Sequence, residues 1–140
     1  MWNRIECAAM RHQSPRRKRL IREVKPIRDG LLREVGQCEI CGTSPKRQRI
    51  GIPELSQLCC HEIACGPLRH KALGCRFALL VLCWGCNTRV MRKATWPEAR
   101  QLAVLRRSRP GDYDLAAYNR LVNENAPERI TDYEVSQWTR

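Results

Sequence analysis

The chain has 140 residues, and its 26 Lys+Arg against 14 Asp+Glu leave a formal charge of +12. That length supports one compact domain and little more, and the longest apolar run, Phe77–Trp84, is far too short to cross a membrane. The opening Met1-Trp2-Asn3-Arg4-Ile5-Glu6-Cys7 lacks the apolar region of a secretory signal, so a cytoplasmic location is expected, and the nine cysteines, an odd number, point to thiolates and metal instead of a disulfide framework.

Residues 1–50 carry 13 Lys+Arg and 5 Asp+Glu, residues 51–95 carry 6 and 2, and residues 96–140 carry 7 and 7. The positive excess therefore sits in the first two thirds, where a polyanion such as DNA would bind. Its densest run, Arg16-Arg17-Lys18-Arg19, follows Ser14-Pro15 and reads as a basic arm that neutralises phosphates. Pro26 disfavours a single unbroken helix through this arm. Beyond it, Ile27, Leu31, Leu32 and Val35 lie on one stripe of a short helix, weakened by Gly30.

Cys38-Glu39-Ile40-Cys41-Gly42 is the first C-x-x-C pair. Leu58–Ala64 has the length of a strand, and Gly66-Pro67 ends it with a turn. The apolar segment Phe77–Leu82 runs straight into the second pair, Cys83-Trp84-Gly85-Cys86, and Asn87–Lys93 can start a helix. Thr95-Trp96-Pro97-Glu98 has the form of a capping box opening a helix from Trp96 to about Arg107 that buries Leu102 and Leu105. Arg109-Pro110-Gly111 stops it. Asp112 or Asp114 caps a second helix, about Leu115–Asn123, with Leu115, Tyr118 and Leu121–Val122 on one face. Thr131-Asp132-Tyr133-Glu134 is a second capping box, opening a last helix to Trp138. This third carries no evident chemistry and reads as a helical support or a protein-contact region.

Two C-x-x-C pairs can close a tetrahedral four-thiolate zinc site from Cys38, Cys41, Cys83 and Cys86. Such a site contributes on the order of 10 kcal/mol to folding. A redox C-x-x-C is the rival, but it would need a thioredoxin-like βαβ pattern that the chain lacks. Cys59, Cys60, Cys65 and Cys75, with His61 or His70, offer a second metal site at spacings that match no standard knuckle. Cys7 reads as a free thiol.

In order, the chain shows a zinc knuckle, a strand bearing His61-Glu62-Ile63, an apolar segment, a second knuckle and a helix start. This order resembles the HNH endonuclease family, in the small zinc-knuckle form common in phage genomes. Family members read C-x-x-C-G, then H-H-I or D-H-I, then N-L-x-x-L-C-x-x-C-H. The matching stretches here are Cys38–Gly42, His61–Ile63 and Ala78–Asn87.

The resemblance implies an α+β fold: a zinc-stabilised ββα-metal finger over residues 36–93, with a basic helical arm over 1–35 and a helical region over 94–140. It implies a metal-dependent DNA endonuclease of low sequence specificity, acting in the cytoplasm (the host's, if the gene is carried by a phage). A divalent ion, Mg²⁺ or another, would polarise the scissile phosphate while a base activates water. In this carry-over His61 and Asn87 ligate that ion, and Glu62 stands where the family has its general-base His. A carboxylate near pKa ~4.3 is a weaker base at neutral pH than an imidazole near ~6.5, so Glu62 can instead be a ligand. A register with Cys60 first and His61 as base puts a soft sulfur on a hard cation. Ala78 replaces the family's middle Asn. Arg16, Arg17, Lys18, Arg19, Arg69, Lys71, Arg89, Arg92 and Lys93 would contact phosphates. The alternative is a non-catalytic zinc-finger DNA-binding protein or an interaction module in a phage assembly.

Overall fold

The computed structural model describes residues 14–45, 57–64, 69–92, 95–122 and 129–138. It is a mixed structure of helices around one small antiparallel sheet. Among these residues no helix is long and apolar enough to cross a membrane.

Helix α1 spans Pro15–Val35 and starts where the sequence signals it: the Ser14 hydroxyl accepts from Arg17 N–H at 3.2 Å. It ends at Gly36 in the left-handed conformation. The break expected at Pro26 does not occur, and the helix runs through it. An interior proline costs a helix about 3 kcal/mol, and tertiary contacts on both sides of Pro26 offset it. Arg17 is tied to Glu62, while the Arg28 guanidinium donates to the carbonyls of Leu73 (3.0 Å) and Cys60 (2.8 Å). Gly74 presses on the same helix: a Cβ there would lie 2.8 Å from Val24 Cγ1. Leu31 and Leu32 are buried and Val35 is half-buried, as the stripe predicts, whereas Ile27 is largely exposed.

Strands β1 (Leu58–Glu62) and β2 (Leu79–Cys83) pair antiparallel, with Leu58 opposite Cys83, His61 opposite Leu80 and Glu62 opposite Leu79. Two short 3-10 turns, Arg69–Ala72 and Arg76–Ala78, lie between them in the chain. The expected turn at Gly66-Pro67 lies outside the described residues. Successive side chains of a strand face opposite ways. Cys60 and Glu62 face α1, where they meet the Arg28 carbonyl and two guanidiniums. His61 faces the other side, against Gln101. Leu79, Leu80, Val81 and Leu82 are fully buried on both faces, which explains the unbroken apolar run.

β2 passes directly into helix α2 (Trp84–Val90). Helix α3 (Glu98–Ser108) packs Leu102 and Leu105 into the core, as expected. The capping box predicted at its start does not form. Thr95 Oγ1 donates to the Arg92 carbonyl, and Pro97 is the N-cap. The Glu98 carboxylate is drawn away by the Tyr118 hydroxyl and by Arg129 at 2.6 Å. Helix α4 (Leu115–Val122) is capped by Asp114, which accepts from Ala117 N–H at 3.0 Å. Helix α5 (Asp132–Ser136) does carry the Thr131–Glu134 capping interaction. The C-terminal third belongs to the same hydrophobic core as the hairpin: Tyr118, Ile130 and Val135 are buried in it.

Candidate metal centre

The two cysteine pairs come from opposite ends of the central region. The first sits in a tight turn after α1. Gly42 holds φ at +76°, Gly42 N–H donates to the Cys38 carbonyl (2.9 Å) and Cys38 N–H to the Thr43 carbonyl (3.0 Å). A side chain at Gly42 would strain that turn. The second pair spans the junction of β2 and α2, where Cys86 N–H points at Cys83 Sγ at 3.5 Å.

The fold brings the pairs together. The four sulfurs of Cys38, Cys41, Cys83 and Cys86 lie within 4.8 Å of one another, and Cys41 Sγ is 3.7 Å from Cys83 Sγ across a separation of 42 residues. A tetrahedron with Zn–S bonds of ~2.3 Å has sulfur–sulfur edges of about 3.8 Å. The donor set and its spacing therefore fit a zinc ion, and the four cysteines could hold one. Cys38 and Cys86 are buried and Cys41 is exposed, so the cluster has one open corner.

Its surroundings treat the sulfurs differently. The hydroxyl and backbone N–H of Thr43 hold the Cys41 thiol down at about 6. Burial pushes Cys86 up to about 12 in the metal-free protein, although Arg89 donates to its sulfur at 2.9 Å and opposes the shift. A cation beside a cluster of thiolates offsets their accumulated negative charge.

Glu39, inside the first knuckle, belongs to no motif in the sequence. Its side chain is 1% exposed. One carboxylate oxygen accepts from Val81 N–H on the free edge of β2 (2.8 Å), and Glu39 N–H donates to the Val81 carbonyl (2.8 Å). The carboxylate also takes Arg109 Nε and the Ser108 hydroxyl, at the end of α3. The first knuckle is thereby fixed to the sheet edge and to the helical third at once. The only signal in the sequence was a charge between two metal-ligand cysteines.

The residues expected to form a catalytic set are placed apart in environment. His61 is 5% exposed, with Nε2 2.9 Å from Gln101 Oε1 of α3. Glu62 lies on the opposite face of β1, bound by Arg17 at 2.8 Å and flanked by Arg28 at 3.8 Å. Burial pushes its carboxyl up, but Arg28 and Arg17 more than offset this and hold it below the ordinary carboxylate range. Asn87 is half-buried in α2. Among the described residues, the one group of three or more His, Cys, Asp and Glu side chains arranged to share a metal is the four-cysteine set.

Cys59 and Cys60 diverge across the strand. Their thiols donate to the Leu82 and Arg28 carbonyls, and burial pushes them to about 12 and about 11, which favours neutral thiols over ligands. Cys75 donates to the Lys71 carbonyl. Cys7, Cys65 and Lys93 lie outside the described residues. Of the basic residues expected to meet phosphates, Arg16, Lys18, Arg19, Lys71, Arg89 and Arg92 are exposed. Arg69 opens the first 3-10 turn. Arg17 departs from the expectation: its side chain is only 14% exposed and turns inward to Glu62.

No protein-family model, no curated protein and no solved structure matches this chain.

Proposed function

We propose that this is a zinc-stabilised nucleic-acid-binding protein on an HNH-like hairpin–helix frame, holding DNA mainly by its phosphates. The observation that carries this reading is the four-cysteine cluster, whose second pair lies in an acid-free, basic stretch of the chain. From Ile63 to Pro97 the chain has no Asp or Glu, yet it has six Lys or Arg. Arg89, which donates to Cys86 Sγ, and Arg92 are exposed, and Arg16, Lys18 and Arg19 are exposed on α1. Contacts of this kind neutralise backbone charge and carry little sequence information.

Binding is placed before cleavage because His61 and Glu62 are engaged by other residues on opposite faces of β1. Cleavage is a second reading. It is favoured by the order β1–β2–α2 with His61 on β1 and Asn87 directly after the last knuckle cysteine, where the resemblance puts ligands for Mg²⁺ or another divalent ion.

One set of measurements tests both. Duplex affinity should fall steeply with salt, and replacing Arg16, Lys18 and Arg19 by Ala should weaken binding and flatten the slope. Salt-independent or absent binding overturns the proposal. Nicking of supercoiled plasmid with Mg²⁺ or Mn²⁺, lost in His61→Ala while binding persists, would put the cleavage reading first.

A further inference from the structure

We propose that the four-cysteine centre is a redox switch, in which a peroxide joins Cys41 to Cys83 as a disulfide and the metal ion is released; this rests on the zinc-stabilised reading above. The cluster is not uniform toward solvent. Cys38 and Cys86 are 1% and 2% exposed, whereas Cys41 is exposed and Cys83 is half-buried. Gly42, Thr43 and Ser44, which follow Cys41, are exposed as well. A dissolved oxidant therefore reaches Cys41 first. Cys83 Sγ lies 3.7 Å from Cys41 Sγ and belongs to the other knuckle. Oxidation of a cysteine follows its thiolate character and its exposure, and a second thiolate close by turns the first product into a disulfide.

The oxidant is hydrogen peroxide or an organic hydroperoxide. The Cys41 thiolate attacks one peroxide oxygen, the O–O bond breaks, and the leaving hydroxide takes a proton to become water. Cys41 is then a sulfenic acid, oxidised by the two electrons that the peroxide has gained. The Cys83 thiolate attacks the Cys41 sulfur, the S–S bond forms, the S–O bond breaks, and a second hydroxide leaves and is protonated. Two thiolates, one peroxide and two protons have become one disulfide and two waters. Bonded sulfurs stand about 2.05 Å apart, so the pair must close from its present separation. Cys41 and Cys83 lie on separate segments and can approach each other. Cys38 is the other sulfur of the first knuckle, but it is out of reach of solvent, and its N–H and carbonyl are held by Thr43 and Gly42. Once the bond forms, the centre offers two thiolates where a structural zinc needs four ligands. The new bond joins the same two segments that the metal joined, so a thiol reductant can return all four sulfurs to the ion by exchange.

The test treats the zinc-loaded full chain with hydrogen peroxide and follows zinc release by a colorimetric chelator. Peptide mapping by mass spectrometry, after alkylation of the remaining thiols, locates the bond. Zinc release should track formation of the Cys41–Cys83 disulfide, and dithiothreitol followed by zinc should restore the loaded protein. Cys41→His, which keeps a zinc ligand but has no sulfur to oxidise, should hold zinc and lose the peroxide-driven release. Where that variant does not fold, the map of the wild-type protein decides alone. Retention of zinc by wild type under peroxide, a bond within one knuckle, or release without any disulfide overturns the switch and leaves the zinc reading standing. A wild-type chain that takes up no zinc overturns both.

Discussion

Glu39 and Arg109, seventy positions apart in the chain, form an ion pair of 3.1 Å that joins the first cysteine knuckle to the C-terminal end of α3. Arg109 is itself 10% exposed in its side chain and also donates to the carbonyls of Arg76 and Leu79 and to Asp112. Breaking a buried pair on one side leaves the other charge uncompensated and costs about 3–5 kcal/mol. Arg109→Ala should therefore destabilise the zinc-loaded protein by about that amount in urea unfolding. A double-mutant cycle with Glu39→Gln should show strong coupling, since the two changes remove one interaction. Additive effects would show that the pair does not act as a unit.

Metal removal should have a larger effect. The sheet has two short strands, too few to be stable alone, and the four sulfurs join the first knuckle to the β2–α2 junction. Chelation, or Cys38→Ser, should abolish the cooperative melting transition and release about one zinc per chain in a colorimetric assay. A native-like melt in the zinc-free protein would contradict this.

A pH dependence follows from Asp112. Its hydrogen bonds from Arg76 (2.9 Å), followed by Arg109 (2.8 Å), hold the carboxyl below its ordinary value. A carboxyl with a depressed folded-state pKa contributes stability above its unfolded value, near ~3.9, and loses it as pH falls through the folded value. Asp112→Asn should be less stable than wild type at neutral pH by about 1–2 kcal/mol, a modest figure because the pair is partly exposed. The two stability curves should converge once pH falls below the depressed folded-state value. A constant gap down to acid would exclude the charge as the cause.

Gly74 gives a steric prediction. Gly74→Ala would set a Cβ 2.8 Å from Val24 Cγ1 and 3.0 Å from Val24 Cβ. Something must shift, and overpacking of this kind costs about 1–3 kcal/mol. Adding Val24→Ala should restore part of the stability in thermal melts, because the clash is with that side chain.

Much of the architecture was legible in local chemistry. Cys38, Cys41, Cys83 and Cys86 announced themselves by spacing, and the apolar segment Phe77–Leu82 marked the stretch in which β2 (Leu79–Cys83) forms. The Thr131 cap formed as its sequence suggests. The failures share a cause: each involved a residue whose partner is distant in the chain. Thr95-Trp96-Pro97-Glu98 has the pattern of a capping box, but Tyr118 and Arg129 take its glutamate. Pro26 should have broken α1, but Arg17 and Arg28 hold the helix to β1 on either side of it. Arg17 looked like one more solvent-facing cation in a basic run, and only the fold shows its carboxylate. Glu39 was unreadable for the same reason, since nothing local reveals that Val81 and Arg109 converge on it.

The pairing of Glu39 with the outer edge of β2 has a consequence for handling the protein. Leu79–Cys83 carries no charge, no proline and no glycine, which is the composition of a segment prone to strand-to-strand association. In the folded chain one edge is occupied by β1, and Val81 on the other edge is occupied by the knuckle. Loosening that knuckle uncovers an apolar strand edge that a second copy can extend. Metal loss should therefore lead to aggregation as well as unfolding, and zinc during expression should decide how much protein stays in solution.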